Sequence, residues 1–161
     1  MTTMEAPRTL TRDPVRRAAK QCFWLLRIAF FAAPVLFGID KFFNWSVHWP
    51  DYLAEWANRA VPGTAQQFMY GVGVIEILAG CLVMLFPRIG APLVALWLAG
   101  IIANLLTKDP PQYYDIALGD FGLFLAAVTL TRLAWALRRR ASQPVDVVLS
   151  NEEREYAGST N

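Results

Sequence analysis

A single carboxylate, Glu76, lies in the middle of the apolar segment Met69–Pro87, whose sequence is MYGVGVIEILAGCLVMLFP. A carboxylic acid at the centre of a membrane-spanning helix costs on the order of 2.5 kcal/mol or more on insertion scales. The folded chain must therefore supply this group with a counter-charge, a proton or a water-filled pocket. Glu76 is for this reason the first candidate functional residue.

Other polar side chains interrupt the remaining apolar segments, and with Glu76 they form a candidate intramembrane polar cluster or ligand-binding site: Arg27, Lys41, Glu76, Asn104, Asp115 and Asp120. Counting residues places Arg27 near one end of the membrane, Glu76 near the midplane and the others, with Asp40, in the outer third. At these depths Glu76 can be paired by Arg27, Lys41 or Asp120. Lys41 can also meet either of the two aspartates in the last segment.

Two interpretations of this cluster stay open. Compensated ion pairs could do no more than fix the register of the helices. Alternatively, Glu76, Lys41 and Asp120 could line a pocket for a polar head group or form a proton path, since intramembrane charges are commonly functional.

A second candidate contact lies outside the membrane, where His48, the only histidine, is flanked by Trp45 and Trp49. Its pKa range suits either a proton donor to a quinone head or an ordinary solvated side chain. One histidine without a nearby cysteine does not make a metal or haem site. Because no glycine-rich phosphate loop and no Ser-His-Asp set is present, we assign neither a catalytic residue nor a metal ligand.

The composition indicates a small membrane protein, since 55% of the 161 residues are hydrophobic, 17% are charged and the mean hydropathy is +0.32. Four segments are long enough to cross a bilayer: Cys22–Phe43, Ala65–Phe86, Ile89–Thr107 and Tyr113–Leu137. The predicted fold is an all-α integral membrane four-helix bundle. Residues 1–15 are predicted to be a flexible N-terminus, 16–138 the bundle and 139–161 a soluble tail.

The segment between the first two spans predicts a short amphipathic helix over Tyr52–Ala60, lying in the extracytoplasmic interface with its tryptophans at headgroup depth. Within the spans, Gly73 and Gly80 bracket Glu76 on one face, and small residues allow membrane helices to pack closely. We therefore expect Glu76 to face the bundle. The two cysteines, Cys22 and Cys81, lack a CxxC spacing and are predicted to be buried and unpaired.

The basic residues are distributed asymmetrically between the two sides of the membrane. One side collects both termini and most of the cations: Arg8, Arg12, Arg16, Arg17, Lys20, Arg88, Arg132, Arg138, Arg139, Arg140 and Arg154. The other side has only Lys41, Arg59 and Lys108. The positive-inside rule therefore predicts that both termini are cytoplasmic.

Three sequence stretches resemble the DoxX-like family of small four-helix membrane proteins: Arg27 with the following Gly38-Ile-Asp-Lys41-Phe-Phe-Asn, then Gly73-Val-Ile-Glu76-Ile-Leu-Ala-Gly80, and finally Tyr114-Asp115-Ile-Ala-Leu-Gly-Asp120-Phe-Gly-Leu. The similarity covers roughly residues 20–137. It implies a bundle in a bacterial or archaeal cytoplasmic membrane, where some relatives are associated with a thiosulfate:quinone oxidoreductase and others with membrane redox assemblies. The family-like positions are Arg27, Gly38, Lys41, Glu76 and Asp120. A cysteine pair of the vitamin K epoxide reductase type is missing, which puts thiol oxidation by this chain in doubt.

Together these observations predict a non-catalytic small subunit or accessory factor of a membrane redox or envelope complex, with quinone as the cofactor class and no covalently bound group. Two alternatives are an autonomous small-solute or proton transporter centred on Glu76 and a purely structural interaction protein. The expected partners are membrane lipid and either other membrane subunits or further copies of this chain, and nucleic acid is not among them.

Overall fold

The computed structural model describes residues 12–60 and 62–141, without side-chain detail for 12, 13 and 139–141. Residues 1–11 and 142–161 lie outside the described residues, and with them most of the predicted N-terminal segment and soluble tail. The described chain is all-α. Its elements are α1 (Arg12–Phe43), a 3₁₀ helix (Trp49–Tyr52), α2 (Glu55–Ala60), α3 (Ala65–Leu85), α4 (Pro87–Thr107) and α5 (Tyr114–Ala141).

Four helices are long and apolar enough to cross a membrane: Pro14–Phe43, Ala65–Leu85, Pro87–Thr107 and Tyr114–Arg138. They confirm the predicted four-helix bundle of a multi-pass membrane protein. Large apolar side chains on the outside of the bundle are exposed, including Leu36, Leu78, Leu96 and Leu118. In a membrane these side chains contact lipid, because the hydrocarbon is their solvent.

The bundle consists of two closely packed helix pairs. α1 packs mainly on α3, and α4 packs mainly on α5. The turn at Phe86–Gly90 joins the pairs, with the amides of Ile89 and Gly90 donating to the Phe86 carbonyl at 2.9 Å. A Cβ at Gly90 would lie 2.4 Å from the Val83 backbone nitrogen, so this turn requires glycine. We call this end of the bundle the turn end, and the opposite end the connector end.

Glycines set the contact between α1 and α3. A Cβ atom at Gly38 would lie 2.7 Å from the Gly73 carbonyl oxygen, and one at Gly80 would lie 2.9 Å from the Phe31 carbonyl oxygen. Gly38 therefore faces Gly73, and Phe31 faces Gly80, so seven residues back along α1 correspond to seven residues forward along α3. The two helices run antiparallel with a fixed register. Their backbones therefore approach too closely for any side chain to fit between them.

The connector, residues 44–64, contains the predicted short helix between the first two spans, but this helix begins at Glu55 and not at Tyr52. The 3₁₀ helix comes before it, and the two are separated by the buried residues Leu53 and Ala54. The break has a tertiary cause. The Asn104 side chain of α4 accepts a hydrogen bond from the Ala54 amide at 2.9 Å and donates one to the Tyr52 carbonyl at 2.7 Å.

Candidate functional site

A buried ion pair joins α1 to α3. Lys41 Nζ lies 2.7 Å from Glu76 Oε2, and the two residues are only 4% and 8% exposed. Arg27, Lys41 and Asp120 were the candidate partners of Glu76 by depth, and in the structure Lys41 forms the ion pair with it. Because both charges are desolvated, removing either one leaves the other without its contact partner in a low-dielectric interior.

Helix geometry explains why these two side chains meet. By the glycine register, Lys41 lies level with residue 70, so Glu76 is six residues, or about 9 Å, further toward the turn end. Side chains on a helix lean toward its N-terminus. Since α1 and α3 are antiparallel, Lys41 leans into the membrane and Glu76 leans toward the connector. Their lengths close the gap, and the lysine does not extend outward to the interface as it commonly would near a helix end.

Trp49 covers the pair from the connector. Lys41 Nζ lies 3.6 Å from the centroid of the Trp49 ring, which is cation–π geometry. The indole Nε1 of Trp49 donates to Asp40 Oδ2 at 2.7 Å. Trp49 was predicted to be part of an outer surface contact, and the structure instead makes it half-buried and part of the ion-pair site.

Asp40 anchors the connector over the site. Its Oδ1 accepts hydrogen bonds from the amides of Trp45 at 2.9 Å and Ser46 at 3.2 Å, and its Oδ2 accepts one from the Ser46 hydroxyl. This carboxylate is compensated by N–H and O–H donors and needs no cation. It therefore fixes the position of Trp49 without competing with Glu76 for Lys41.

Two further groups lie on the α4 and α5 side of the pair. Asp120, on α5, is half-buried and interacts electrostatically with both Lys41 and Glu76. Trp97, on α4, carries its Nε1 near Glu76, close enough for a favourable electrostatic interaction. The Trp97 Nε1 atom is nevertheless buried without a partner that satisfies hydrogen-bond geometry among the described residues. The site therefore contains one cation, two carboxyl groups and an unsatisfied donor.

The structure places the other three predicted cluster residues outside this site. Arg27 donates to the Met84 carbonyl at the turn end of α3 and does not reach Glu76. Asn104 holds the connector against α4 through its hydrogen bonds to Tyr52 and Ala54. Asp115 is exposed in the first turn of α5, so the ionic pairing of Lys41 with this residue, considered from the sequence, does not occur.

The rest of the predicted outer contact is solvent-exposed or interfacial. His48 Nδ1 lies 2.9 Å from Asp51 Oδ1, with side chains 62% and 67% exposed. Trp45 is 74% exposed and stacks on Phe43 with ring centroids 4.5 Å apart. The prediction that both cysteines are buried is wrong for Cys22, which is exposed, because its face of α1 points away from the bundle; Cys81 is half-buried.

The position of the Trp97 N–H beside Glu76 and the covering role of Trp49 were not predicted from the sequence. Trp97 shares a helical stripe with Asn104, which was visible, but nothing in the pattern indicated that its N–H lies beside Glu76. Within the described residues, no group of three His, Cys, Asp or Glu side chains could hold a metal ion. Comparison with known proteins found no matching family model, no matching curated protein and no matching solved structure.

Proposed function

We propose that this protein is a DoxX-like small subunit or accessory factor of a membrane redox or envelope complex, and that it serves a quinone at the Lys41–Glu76 site. The observation that supports this most directly is the excess of buried hydrogen-bond donors there. Lys41 has three N–H donors and makes a single hydrogen bond, to Glu76, besides its contact with the Trp49 ring, and Trp97 Nε1 lies beside Glu76 without a hydrogen bond of good geometry within the described chain. An acceptor such as a quinone carbonyl oxygen would satisfy them.

The residues fit a quinone head in chemical type. The Lys41 ammonium would donate to a carbonyl oxygen, and Glu76 would hold that ammonium in place. In the structure Trp49 closes the pair, so access requires its ring to leave Lys41. The aromatic residues around the connector would then contact the ring of the head group. Electrons for quinone chemistry would come from the partner chains of the complex.

A photoreactive quinone analogue in quinone-replete membranes tests the site. We expect a crosslink to the α1–α3 pair at or near Lys41 or Trp49, and we expect it to be lost in the Lys41→Met, Glu76→Leu double variant. Asp115→Asn is the control, because it removes an exposed carboxylate at the connector end, outside the site. Absence of the crosslink in the wild-type protein, or its persistence in the double variant, would reject quinone binding here.

The subunit role is tested separately by affinity purification in a mild detergent. We expect other membrane chains to co-purify in constant ratio. Recovery of only a monomer or homo-oligomer would exclude a subunit of a hetero-complex, whatever the outcome of the quinone experiment.

The second candidate function is proton or small-solute transport, and Asp120 favours it. Two carboxyl groups share one nearby cation, so the site is one positive charge short of neutrality unless a carboxyl is protonated. In liposomes a transporter would lose pH-dependent flux in Glu76→Gln and in Asp120→Asn and keep it in Asp115→Asn. Unchanged flux in the first two variants would reject transport.

The proposed location is a bacterial or archaeal cytoplasmic membrane, with both termini and the turn end on the cytoplasmic side. Support comes from the basic residues at the turn end, which follow the positive-inside rule. A reporter enzyme that works only in the cytoplasm should show activity when it is fused after Asn161. Activity only of a reporter that works outside the membrane would reverse the orientation.

A further inference from the structure

Arg27 is a half-buried cation at the turn end, far from the Lys41–Glu76 pair. One of its terminal nitrogens donates to the Met84 carbonyl, and its guanidinium carbon lies 4.8 Å from the Trp24 ring centroid and 5.7 Å from that of Phe23. Its Nε is buried without a hydrogen-bond partner among the described residues. The guanidinium is therefore held in place by neutral groups.

The depth of Arg27 can be read from the helices. It precedes Phe43 by sixteen residues, which is about 24 Å of helix. Met84, its partner, lies in the last turn of α3. Because the hydrocarbon core of a bilayer is about 30 Å thick, the guanidinium is within a side-chain length of the headgroups at the turn end.

Charge is strongly segregated along the bundle. The described basic side chains of the turn end are Arg16, Arg17, Lys20, Arg27, Arg88, Arg132 and Arg138. The described acidic side chains lie in the connector half or, for Glu76, near the middle: Asp40, Asp51, Glu55, Glu76, Asp109, Asp115 and Asp120. No described carboxylate is level with Arg27, and a half-buried charge without a counter-charge is costly. An anion that compensates this charge would come from outside the described side chains.

We propose that Arg27 binds the phosphate of an anionic phospholipid headgroup in the leaflet at the turn end. The planar guanidinium matches phosphate oxygens bidentately, and the Met84 carbonyl and the Trp24 and Phe23 rings hold it in one orientation. Anionic lipid is attracted to basic residues at this depth. The site is independent of the quinone proposal.

The surroundings of Arg27 favour lipid over the acidic residues of the C-terminal tail. Its neighbours on α1 are exposed apolar residues that contact hydrocarbon in a membrane: Trp24 is 51% exposed, Leu25 69% and Ile28 53%. A lipid headgroup already lies beside such a surface. For Glu152, Glu153 or Glu155 to bind there instead, a carboxylate would have to be desolvated against this apolar surface, which is costly.

The test is native mass spectrometry of the full chain, titrated with phosphatidylglycerol and with phosphatidylcholine of the same acyl chains. We expect the wild-type chain to bind phosphatidylglycerol more tightly. Arg27→Gln should weaken this binding by about tenfold or more, because it removes charge-assisted hydrogen bonds to the phosphate as well as the charge. Arg27→Lys, which keeps the charge and loses the fork, should give an intermediate loss.

Arg17→Gln is the matched control, because Arg17 is an exposed cation on the same helix. We expect its affinity to stay close to wild type, and a loss equal to that of Arg27→Gln would show only diffuse attraction and overturn the proposal. Equal binding of the two lipids by the wild-type chain would also overturn it.

A variant with Glu152→Gln, Glu153→Gln and Glu155→Gln tests the tail as the occupant. We expect no change, whereas a several-fold gain in phosphatidylglycerol binding would assign the site to the tail and overturn the proposal. Circular dichroism confirms that each variant is helical. If Arg27→Gln does not fold, the Arg27→Lys result decides, because wild-type affinity in that variant would overturn a bidentate phosphate site.

Discussion

The two helix pairs of the bundle are held together by different chemistry. Between α1 and α3, backbones touch through Gly38 and Gly73, and the buried Lys41–Glu76 pair lies just beyond that contact. On α4 and α5 the buried residues are mostly apolar, and Ala91, Val94, Ala95, Leu98, Ala127 and Leu130 form one cluster with Phe30, Ala79 and Val83 of the other pair. In the α4–α5 pair the glycines Gly100, Gly119 and Gly122 have open space around them.

The two kinds of contact differ in what they determine: one attracts two helices to each other, and the other fixes their relative position. Small apolar side chains pack adequately at several relative positions of two helices, because dispersion attraction has no direction. An ion pair with donor and acceptor 2.7 Å apart does not tolerate a shift of one turn, which is about 5.4 Å. We therefore interpret the α1–α3 pair as the part that fixes register and the α4–α5 pair as the part that adds apolar packing.

Breaking the ion pair should have the largest effect. Glu76→Leu removes the carboxylate in direct contact with the buried Lys41 and leaves only Asp120 as a counter-charge, and we expect a loss of about 3 kcal/mol in the free energy of unfolding. The Lys41→Met, Glu76→Leu double variant should recover most of that loss, since both fully buried charges are removed together and the half-buried Asp120 can be neutralised by a proton. Unfolding in mixed micelles measures both. A double variant as unstable as the single one would show that the pair itself supplies net stability.

A glycine-to-alanine substitution in each helix pair compares how closely the helices of the two pairs approach each other. Gly38→Ala forces a methyl group against the Gly73 carbonyl oxygen, and overpacking of this kind costs about 1–3 kcal/mol. Gly119→Ala meets nothing within 4 Å and should gain about 0.5–1 kcal/mol, because alanine loses less backbone entropy in a helix. The same unfolding assay applies. Equal effects at the two positions would contradict the distinction between the pairs.

The most local effect is expected at the connector, which Asn104 fixes to α4. Asn104→Ala removes hydrogen bonds to the Tyr52 carbonyl and the Ala54 amide, and each lost bond is worth about 1 kcal/mol. Amide hydrogen exchange over residues 52–58 should rise while exchange in α3 stays unchanged. Protection that is unaltered over 52–58 would show that other contacts hold the connector.

The four spans were predictable because hydropathy and length decide which segments cross a bilayer, and the glycines around Glu76 showed which face turns inward. The partner of Glu76 was not predictable, because counting residues gives the depth of a Cα atom but not the direction in which its side chain extends. Lys41 and Glu76 differ by about 9 Å in level and still meet. The position of Trp49 was also hidden, because it depends on hydrogen bonds to Asp40 that no local pattern specifies.

The location of the two charges along their helices has a consequence for biogenesis. Lys41 lies two residues before the end of α1, so its ammonium can remain at the water interface while α1 is alone in the membrane. Glu76 lies in the middle of α3, where its side chain cannot reach the water interface. α3 therefore depends on α1 already being inserted, whereas α1 does not depend on α3. The order in which the ribosome delivers the helices is the order that this dependence requires.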